Sequence, residues 1–429
     1  MPEKEKSDQQ KKQEVVYTEA SRLKEVTSKN KQGIYIDPTE ALQNLMNAYP
    51  WFRIEAGRDD FIRVGNAYAH PHAAIGMSLD TAANTAKRTN IHTSVEELKA
   101  IRDTTSAYNK REWEDVNAKH PEWEEFGYWE EYFDIPGCVE EPDAPKLHVL
   151  MRRLRDNYKK GPYPIVLVIP TGALFFNDPW LFSNAPVTKF LGVQTIIPEF
   201  RSFVDAPYPA AINDIHATYQ WMVENAEKLN IDLDRIIIWG GSSGGHLASA
   251  FSFRLKRYDW CGAPMPRGIV VEDGFFDDRE TRRSMRVLSN HWCGLSNRGA
   301  NMLYMGDNFA SGFIGPEGYA NHATIEECRG LPPFLILEGQ DNPGCDHAME
   351  FILKLNEVGV YCSYFMQGGA VHAARVRDDG IAVMPFMNIN MQSEYKPRTG
   401  YDASALMEQI TIGGIIDFLD NDFRRQFNK

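Results

Sequence analysis

One short stretch constrains the fold of this chain more than any other. The apolar run Ile236–Trp239 has the length of a strand, and it ends abruptly at the cluster Gly240–Gly245. A helix-compatible stretch with Leu247 and Ala248 follows. A strand, a tight turn that contains serine and a helix together form a nucleophile elbow, in which a strained turn exposes a serine hydroxyl. The residues two before and two after that serine must be small, because strand and helix nearly touch there.

Two serines of this turn fit the pattern Gly-x-Ser-x-Gly. Ser242 has glycines at positions 240 and 244, whereas Ser243 has glycines at positions 241 and 245. The spacing by itself does not separate these two frames. A glycine-rich loop that binds phosphate is the alternative interpretation. It is disfavoured because the pattern Gly-x-x-x-x-Gly-Lys-Ser/Thr does not surround the turn.

The composition limits the binding partners and the cellular compartment that we expect for this protein. The 429-residue chain carries a formal charge of −13 and 43% hydrophobic residues. Because the chain is acidic, we expect neither nucleic acid nor an anionic membrane as a partner. The six cysteines are scattered, with no Cys-x-x-Cys pair and no histidine at metal-binding spacing, which predicts free, mostly buried thiols and no metal or other cofactor. No apolar stretch follows the charged N-terminus, so we expect no signal peptide or membrane span and a cytoplasmic protein.

The pattern of residues divides the chain into two parts. Residues 1–125 are predicted to form a mainly helical N-terminal extension, either a cap over a pocket or a packing surface that would suit a homodimer. Residues 126–429 alternate strands with helices, which predicts an α/β domain with a mostly parallel central sheet flanked by helices. A helix is expected over 210–225, and strands are expected near 129–135, 146–154, 163–169, 193–198, 235–239, 267–272, 333–338 and 361–367.

The elbow resembles that of a known family. Gly-Gly-Ser-Ser-Gly-Gly-His-Leu-Ala is similar to the Gly-Asp-Ser-Ala-Gly-Gly-x-Leu-Ala elbow of the hormone-sensitive-lipase-like branch of the α/β-hydrolases. The resemblance implies the α/β-hydrolase fold, with Ser242 as the nucleophile and Ser243 as the residue that follows it. Similar stretches at 201–211 and 232–235 extend the resemblance over roughly residues 128–372 and the last helix, but not over residues 1–125.

An apolar strand that ends in aspartate provides the candidate acid. A serine hydroxyl attacks only when a base takes its proton, and an acid holds that base in place. In this fold the acid and then the histidine follow the serine along the chain. The stretch Leu331–Asp341 is similar to the family's Leu-Pro-Pro-x-Leu-(apolar)-x-Gly/Ala-x-x-Asp segment, which implies that Asp341 orients the base. Asp346 is the alternative acid, and we interpret it as a cap of the next helix.

A histidine after the next strand is the candidate base. The stretch Gly368–His372 resembles the family's Gly-x-x-His turn, which implies that His372 takes the proton. His322 and His347 precede the last strand, and His246 lies on the helix beyond the elbow, so these three are weaker candidates. The residues after His372, up to about 404, include methionines and phenylalanine that either line the pocket or pack in the core.

The loop after the third strand is the candidate oxyanion hole. Backbone amides there would face the oxygen on which charge develops. The resemblance implies amides from Gly172, Ala173 and Ser243. The family has His-Gly-Gly-Gly in this loop, whereas this chain has Pro170-Thr171-Gly172-Ala173. The loop keeps small residues at the two inward positions but departs at the other two, which affects the geometry of the hole.

These features together predict a serine hydrolase. We expect it to cleave a carboxylic ester of a small molecule through a Ser-His-Asp triad and an acyl-enzyme intermediate, because the resembled branch consists mostly of carboxylesterases. An amidase or an acyltransferase would use the same triad, and the altered loop motivates that alternative. A small-molecule-binding protein on this fold is a further alternative. It is weakened because all three triad candidates are present in this sequence.

Overall fold

The structure is a computed structural model that describes most of the chain beyond residue 127. The described residues are part of 96–114, then 128–154, 161–172, 174–179, 191–279, 282–284, 301, 304–306, 314–339, 342–367, 372 and 403–424. The strands are β1 (Tyr128–Ile135), β2 (Leu147–Leu154), β3 (Tyr163–Ile169), β4 (Gln194–Pro198), β5 (Ile231–Gly241), β6 (Gly268–Glu272), β7 (Phe334–Gly339) and β8 (Cys362–Gln367). The helices are α1 (Ala210–Glu224), α2 (Ala226–Leu229), α3 (Ser243–Arg257), α4 (Cys345–Glu357) and α5 (Ala403–Asp420).

The strands form one twisted sheet in the described part of the chain. Their order is β1-β2-β4-β3-β5-β6-β7-β8. The pairs β1/β2 and β2/β4 are antiparallel, whereas the pairs from β4/β3 to β7/β8 are parallel. Because parallel neighbours end at the same edge, the carboxyl ends of β5, β6, β7 and β8 lie side by side. The elbow and the two other triad candidates follow these ends.

The central strands are buried because helices cover both faces of the sheet. Every residue of β3 is buried, as is the apolar run Ile236–Trp239 of β5. On β6, a Cβ added at Gly268 would meet the Phe418 ring of α5, whereas the Val271 side chain lies against Gly245 of α3. Positions 268 and 271 point to opposite faces of a strand, so α5 and α3 cover different sides. Each fully buried isoleucine of this core contributes about 1.5–3 kcal/mol.

The antiparallel edge of the sheet is held by charged cross-strand pairs. Arg152 of β2 donates to Glu130 of β1 at 2.8 Å, and Arg153 donates to Glu131 at 2.8 Å. Arg152 and Glu130 lie directly opposite each other in the register of the two strands, whereas Arg153 and Glu131 are diagonal neighbours. Arg152 is buried, so its guanidinium needs this carboxylate to compensate for lost hydration.

The structure confirms the predicted fold class and most element positions. The eight expected strand regions all contain strands, although β5 begins at Ile231, four residues before the expected start. Cys138, Cys328 and Cys345 are buried free thiols, whereas Cys261 and Cys362 are partly buried free thiols. No helix among the described residues is both long and apolar enough to cross a bilayer. The division at residue 125 stays a prediction; Arg102, which is helical, donates to Ser202 at 3.1 Å and also to Asp205.

Candidate active site

The turn between β5 and α3 has the strained geometry of a nucleophile elbow. Ser242 has φ 54° and ψ −121°, a conformation that is unfavourable for any residue with a Cβ and is kept only where the surroundings enforce it. Its backbone N–H donates to the Glu272 carbonyl of β6 at 2.7 Å. A Cβ added at Gly240 would lie 2.3 Å from the carbonyl oxygen of Gly244. The flanking glycines are therefore required, because strand and helix come this close.

The structure brings Ser242 and His372 together. The Ser242 Oγ lies 2.7 Å from the His372 Nε2, although 130 residues separate them in the sequence. Both side chains are buried, and the Phe275 ring packs against the imidazole with a centroid separation of 5.0 Å. When the proton of the imidazole is on Nδ1, Nε2 accepts the hydrogen bond from the serine hydroxyl. This geometry allows the histidine to take the serine proton.

An amide, Asn342, faces the other nitrogen of the imidazole. The Asn342 Oδ1 lies 3.1 Å from the His372 Nδ1. Asn342 is fully buried at the turn between β7 and α4. Asp341, the predicted acid, lies outside the described residues, so its role stays a prediction. The sequence interpretation considered only carboxylates at this position and did not include the neighbouring asparagine.

Two buried acids, Asp273 and Glu338, lie at the ends of β6 and β7. The Asn342 Nδ2 donates to the Glu338 Oε2 at 2.5 Å. The Asp273 Oδ1 accepts from the Gly339 N–H at 2.8 Å. Burial, together with the negative charge of Asp273, raises the pKa of Glu338 well above its usual range. The sequence carried a signal for this group, because Glu338 interrupts an otherwise apolar buried strand.

The predicted oxyanion loop lies directly against the elbow. A Cβ added at Gly244 would lie 2.2 Å from the Ile169 carbonyl oxygen and 2.8 Å from that of Pro170. Gly172 has φ 130°, and its carbonyl accepts the N–H groups of Phe175 and Phe176 at 3.0 and 2.9 Å. Ser243 is buried as the first residue of α3. Ala173 lies outside the described residues, so the hole remains a prediction at that position.

The histidines considered as weaker candidates have other surroundings. His246 Nδ1 lies 2.9 Å from the Phe275 carbonyl, and burial lowers the pKa of His246 to about 4. His322 Nε2 lies 2.7 Å from Asp278. His347 is fully buried on α4 and its imidazole makes no hydrogen bond within the described part of the chain.

The interpretation of Asp346 as a helix cap is wrong. The helix α4 begins at Cys345, its N-cap residue is Gly344, and no side chain of the described residues caps it. Asp346 lies in the first turn instead, and its Oδ2 accepts the N–H of Ser284 at 2.7 Å. The carboxylate is therefore used to connect α4 to the segment near residue 284.

One cluster of described residues has metal-ligand atoms close enough together to hold a metal ion: Asp277, Asp278 and His322. These atoms lie within 4.8 Å of one another. However, Arg279 donates to both oxygens of Asp277, at 2.7 and 2.6 Å, and lowers the charge available to a cation. The hydrogen bonds therefore explain this cluster as ion pairing between the loop after β6 and the segment around residue 322.

Comparison with known proteins gives a family match over part of the chain. A model described as the alpha/beta hydrolase fold matches residues 183–375, which include the elbow, the strand β7 and His372. This match and the mostly parallel sheet show the α/β-hydrolase fold. The resemblance to the hormone-sensitive-lipase-like branch, predicted from the elbow motif, is confirmed.

The relatives of this α/β-hydrolase are named as esterases and lipases. It is 28% identical over 178 residues to an esterase of Acinetobacter venetianus, which covers 41% of this chain and 55% of that protein. It is 31% identical over 81 residues to the hormone-sensitive lipase of Mus musculus, or 19% of this chain and 10% of that protein. The chain thus spans about half of the bacterial relative and a tenth of the mouse relative.

Solved structures support the fold. The structure called bacterial heroin esterase superposes with a TM-score of 0.59 at 20% sequence identity and covers 80% of this chain and 98% of its own. A likeness at this identity supports the architecture and not the substrate. The chemistry must therefore be argued from the residues of the site.

Proposed function

We propose that this protein is a serine hydrolase that cleaves carboxylic esters of small molecules. The observation that carries the proposal is the 2.7 Å contact between Ser242 Oγ and His372 Nε2 at the strained turn after β5. A serine at such a turn, with an imidazole nitrogen within hydrogen-bond distance, has the arrangement that activates a hydroxyl. The relatives named as esterases support the ester as the substrate class.

The reaction would proceed through an acyl-enzyme. The Ser242 oxygen attacks the ester carbonyl carbon while His372 takes its proton, and the charge that develops on the carbonyl oxygen is stabilised by the amides of Gly172, Ala173 and Ser243. The bond to the alkoxy oxygen then breaks, and His372 gives the proton to this leaving group. Water then gives a proton to the same histidine and attacks the acyl carbon. The bond from this carbon to the Ser242 oxygen breaks, the acid leaves, and His372 returns the proton to the serine oxygen. The sequence motif predicts Asp341 as the orienting carboxylate, whereas the contact that the structure describes at the imidazole Nδ1 is made by Asn342.

Fluorophosphonate labelling tests the nucleophile, with a panel of p-nitrophenyl esters as substrates. We expect the wild-type protein and Ser243→Ala to be labelled on Ser242 and to hydrolyse short esters. Ser242→Ala should take no label and show no turnover. Wild-type protein that takes no label and cleaves no ester would contradict the proposal, and a ligand-binding role on this fold would replace it.

The loop Pro170–Ala173 motivates a second candidate, acyl transfer or amide cleavage by the same residues. Its departure from His-Gly-Gly-Gly changes the surface that faces the carbonyl and the acceptor. Product analysis with an added alcohol separates the candidates: a new ester indicates transfer, and free acid alone indicates hydrolysis. A homodimer and a cytoplasmic location stay predictions from the sequence.

A further inference from the structure

We infer that Asn342 is a positioning residue for the base: its amide oxygen holds the His372 Nδ1, and its amide nitrogen is held in turn by Glu338. The inference deepens the proposed function and rests on it, because it assigns the orientation of the imidazole that serves Ser242. It concerns a residue for which the motifs of the sequence predict no role.

The contacts form a continuous chain of hydrogen bonds with one direction. Ser242 Oγ–H donates to His372 Nε2 at 2.7 Å, and His372 Nδ1–H donates to Asn342 Oδ1 at 3.1 Å. The Asn342 Nδ2–H then donates to Glu338 Oε2 at 2.5 Å. Each group in this chain donates to the next one, so the whole chain selects the imidazole tautomer with its proton on Nδ1.

Independent contacts fix the orientation of the Asn342 amide. The Gly344 N–H donates to the same Oδ1 at 3.3 Å, so this atom is an oxygen, which accepts, and not a nitrogen. The opposite rotamer would place the Nδ2 hydrogens against the N–H of Gly344 and against the protonated Nδ1 of the imidazole. Glu338 therefore anchors the amide, and the amide presents its oxygen to His372.

The surroundings of Glu338 make it a suitable anchor. It is fully buried at the end of β7, and the titratable groups that interact with it are Asp273 after β6, Cys345 at the start of α4 and Tyr364 of β8. A buried carboxyl group among acidic and neutral neighbours favours its uncharged form. Because the Asn342 amide is itself neutral, it presents a dipole, and not a full negative charge, to the imidazole.

This arrangement differs in its consequence from a carboxylate at the same place. A carboxylate stabilises the imidazolium and raises the pH at which the base loses its proton, whereas an amide orients the ring with less charge stabilisation. The predicted acid Asp341 precedes Asn342 in the chain, so Asp341→Asn is the necessary comparison. If Asn342 positions the base, substitutions of Asn342 must change kcat or its pH profile and not only the stability of the protein.

The first experiment measures steady-state hydrolysis of p-nitrophenyl acetate by Asn342→Leu. We expect kcat to fall about 10- to 100-fold with KM changed less than about threefold, because binding is kept and the base is misoriented. The matched control is Asn321→Leu, which removes an equally buried amide whose Nδ2 donates to the His347 carbonyl at 2.8 Å. The control should lose stability but change kcat less than about threefold. Equal kcat effects in both variants would overturn the inference.

The second experiment uses Asn342→Asp, which keeps the shape of the side chain. The base works only when neutral, so activity falls as the pH drops through the titration of His372. A carboxylate at residue 342 should move this acidic limb of the kcat/KM profile upward by about one pH unit or more. Adding Glu338→Gln should raise the kcat of Asn342→Asp, because the introduced glutamine amide can donate to the new carboxylate. An unmoved limb would overturn the inference.

A third measurement separates failure of the inference from failure of the proposed function. NMR of 15N-histidine-labelled wild type and Asn342→Asp follows the His372 imidazole without any substrate. An upward shift of its titration midpoint supports the Asn342 contact even in a protein that neither cleaves esters nor takes a fluorophosphonate, and only the proposed function would then fail. An unchanged midpoint overturns the contact. Loss of activity in Asp341→Asn, with unaltered kcat and pH profile in the Asn342 variants, assigns the positioning to Asp341 instead.

Discussion

The antiparallel pair β1–β2 and the carboxyl ends of β6 and β7 both carry acidic side chains, but they compensate for charge in different ways. At the antiparallel edge, Glu130 and Glu131 each accept from an arginine on the neighbouring strand. At the carboxyl ends, the buried Glu338 accepts from the amide of Asn342, and its acidic neighbour is Asp273. The antiparallel edge gains modest stability from its ion pairs, whereas the carboxyl ends keep the buried Glu338, whose loss of hydration costs stability.

This difference separates a stabilising region from a functional one. Natural proteins keep strained backbone and unfavourable burial where chemistry requires them. The carboxyl ends of β5, β6 and β7 combine three such features: the φ of 54° at Ser242, the φ of 48° at Asp273 and the raised pKa of Glu338. By contrast, no described residue of β1 or β2 has a positive φ. Substitutions in the two regions should therefore have different kinds of effect.

The largest expected effect is at Ser242. Ser242→Ala should lower kcat/KM by at least about 10⁴-fold, because it removes the hydroxyl that contacts His372, while the melting temperature stays close to that of the wild type. Ser243→Ala is the control, since its Oγ has no hydrogen-bond partner among the described residues and only its backbone amide is proposed to act. Its activity should remain within about threefold. Ester hydrolysis and thermal unfolding measure both effects, and an active Ser242→Ala would contradict the comparison.

The next effect is at the elbow glycine. Gly240→Ala should destabilise the protein by about 3 kcal/mol or more, because its Cβ would meet the Gly244 backbone at 2.3 Å. Gly413→Ala on α5 is the matched control, because a Cβ there meets nothing within 4 Å. That substitution should stabilise the helix by up to about 1 kcal/mol. Urea unfolding measures both, and equal values for the two would show that the elbow is not tightly packed.

The third effect depends on pH and is at Glu338. Its raised pKa means that the folded protein holds a proton that the unfolded chain releases as the pH passes its usual value near 4.5. The contribution of Glu338 to stability is thus fully present below that pH and is lost as the pH rises toward the folded pKa. Glu338→Gln removes this loss, so its stability relative to wild type should increase by up to about 1.4 kcal/mol per pH unit above pH 5. Urea unfolding from pH 5 to 8 tests this, and a constant difference would contradict it.

The smallest effect is at the antiparallel edge. Glu130→Gln should cost about 1 kcal/mol of stability and leave kcat/KM unchanged, because its partner Arg152 is buried but far from the reacting atoms in the sheet order. Glu131→Gln, in the more exposed pair with Arg153, should cost less than about 0.5 kcal/mol. Unfolding and ester hydrolysis of both variants provide the measurement. A tenfold change in activity would show that this edge is coupled to the site.

Much of the fold and part of the site could be predicted from the sequence. The apolar runs of β3 and β5, bounded by turns, predicted strands because runs of this length fit a sheet that is covered on both faces. The elbow was predictable because its glycines indicate a close approach of strand and helix, whereas the resemblance to the family's elbow selected Ser242 over Ser243. The role of Asn342 was not predicted, because a local motif does not reveal which of several polar side chains reaches a distant histidine.

The sequence by itself therefore determined the class of fold, through its alternation of strands and helices, and the strained turn, which depends on neighbours within a few residues. The resemblance to the family's elbow, and not the spacing, selected Ser242. The tertiary structure decided which groups complete the chain of hydrogen bonds from Ser242 through His372 to Asn342 and Glu338. The physical reason is the parallel register of β5, β6, β7 and β8, which brings the ends of strands distant in sequence to one edge. Only in that arrangement does the amide of Asn342 lie between an imidazole and a buried carboxyl group.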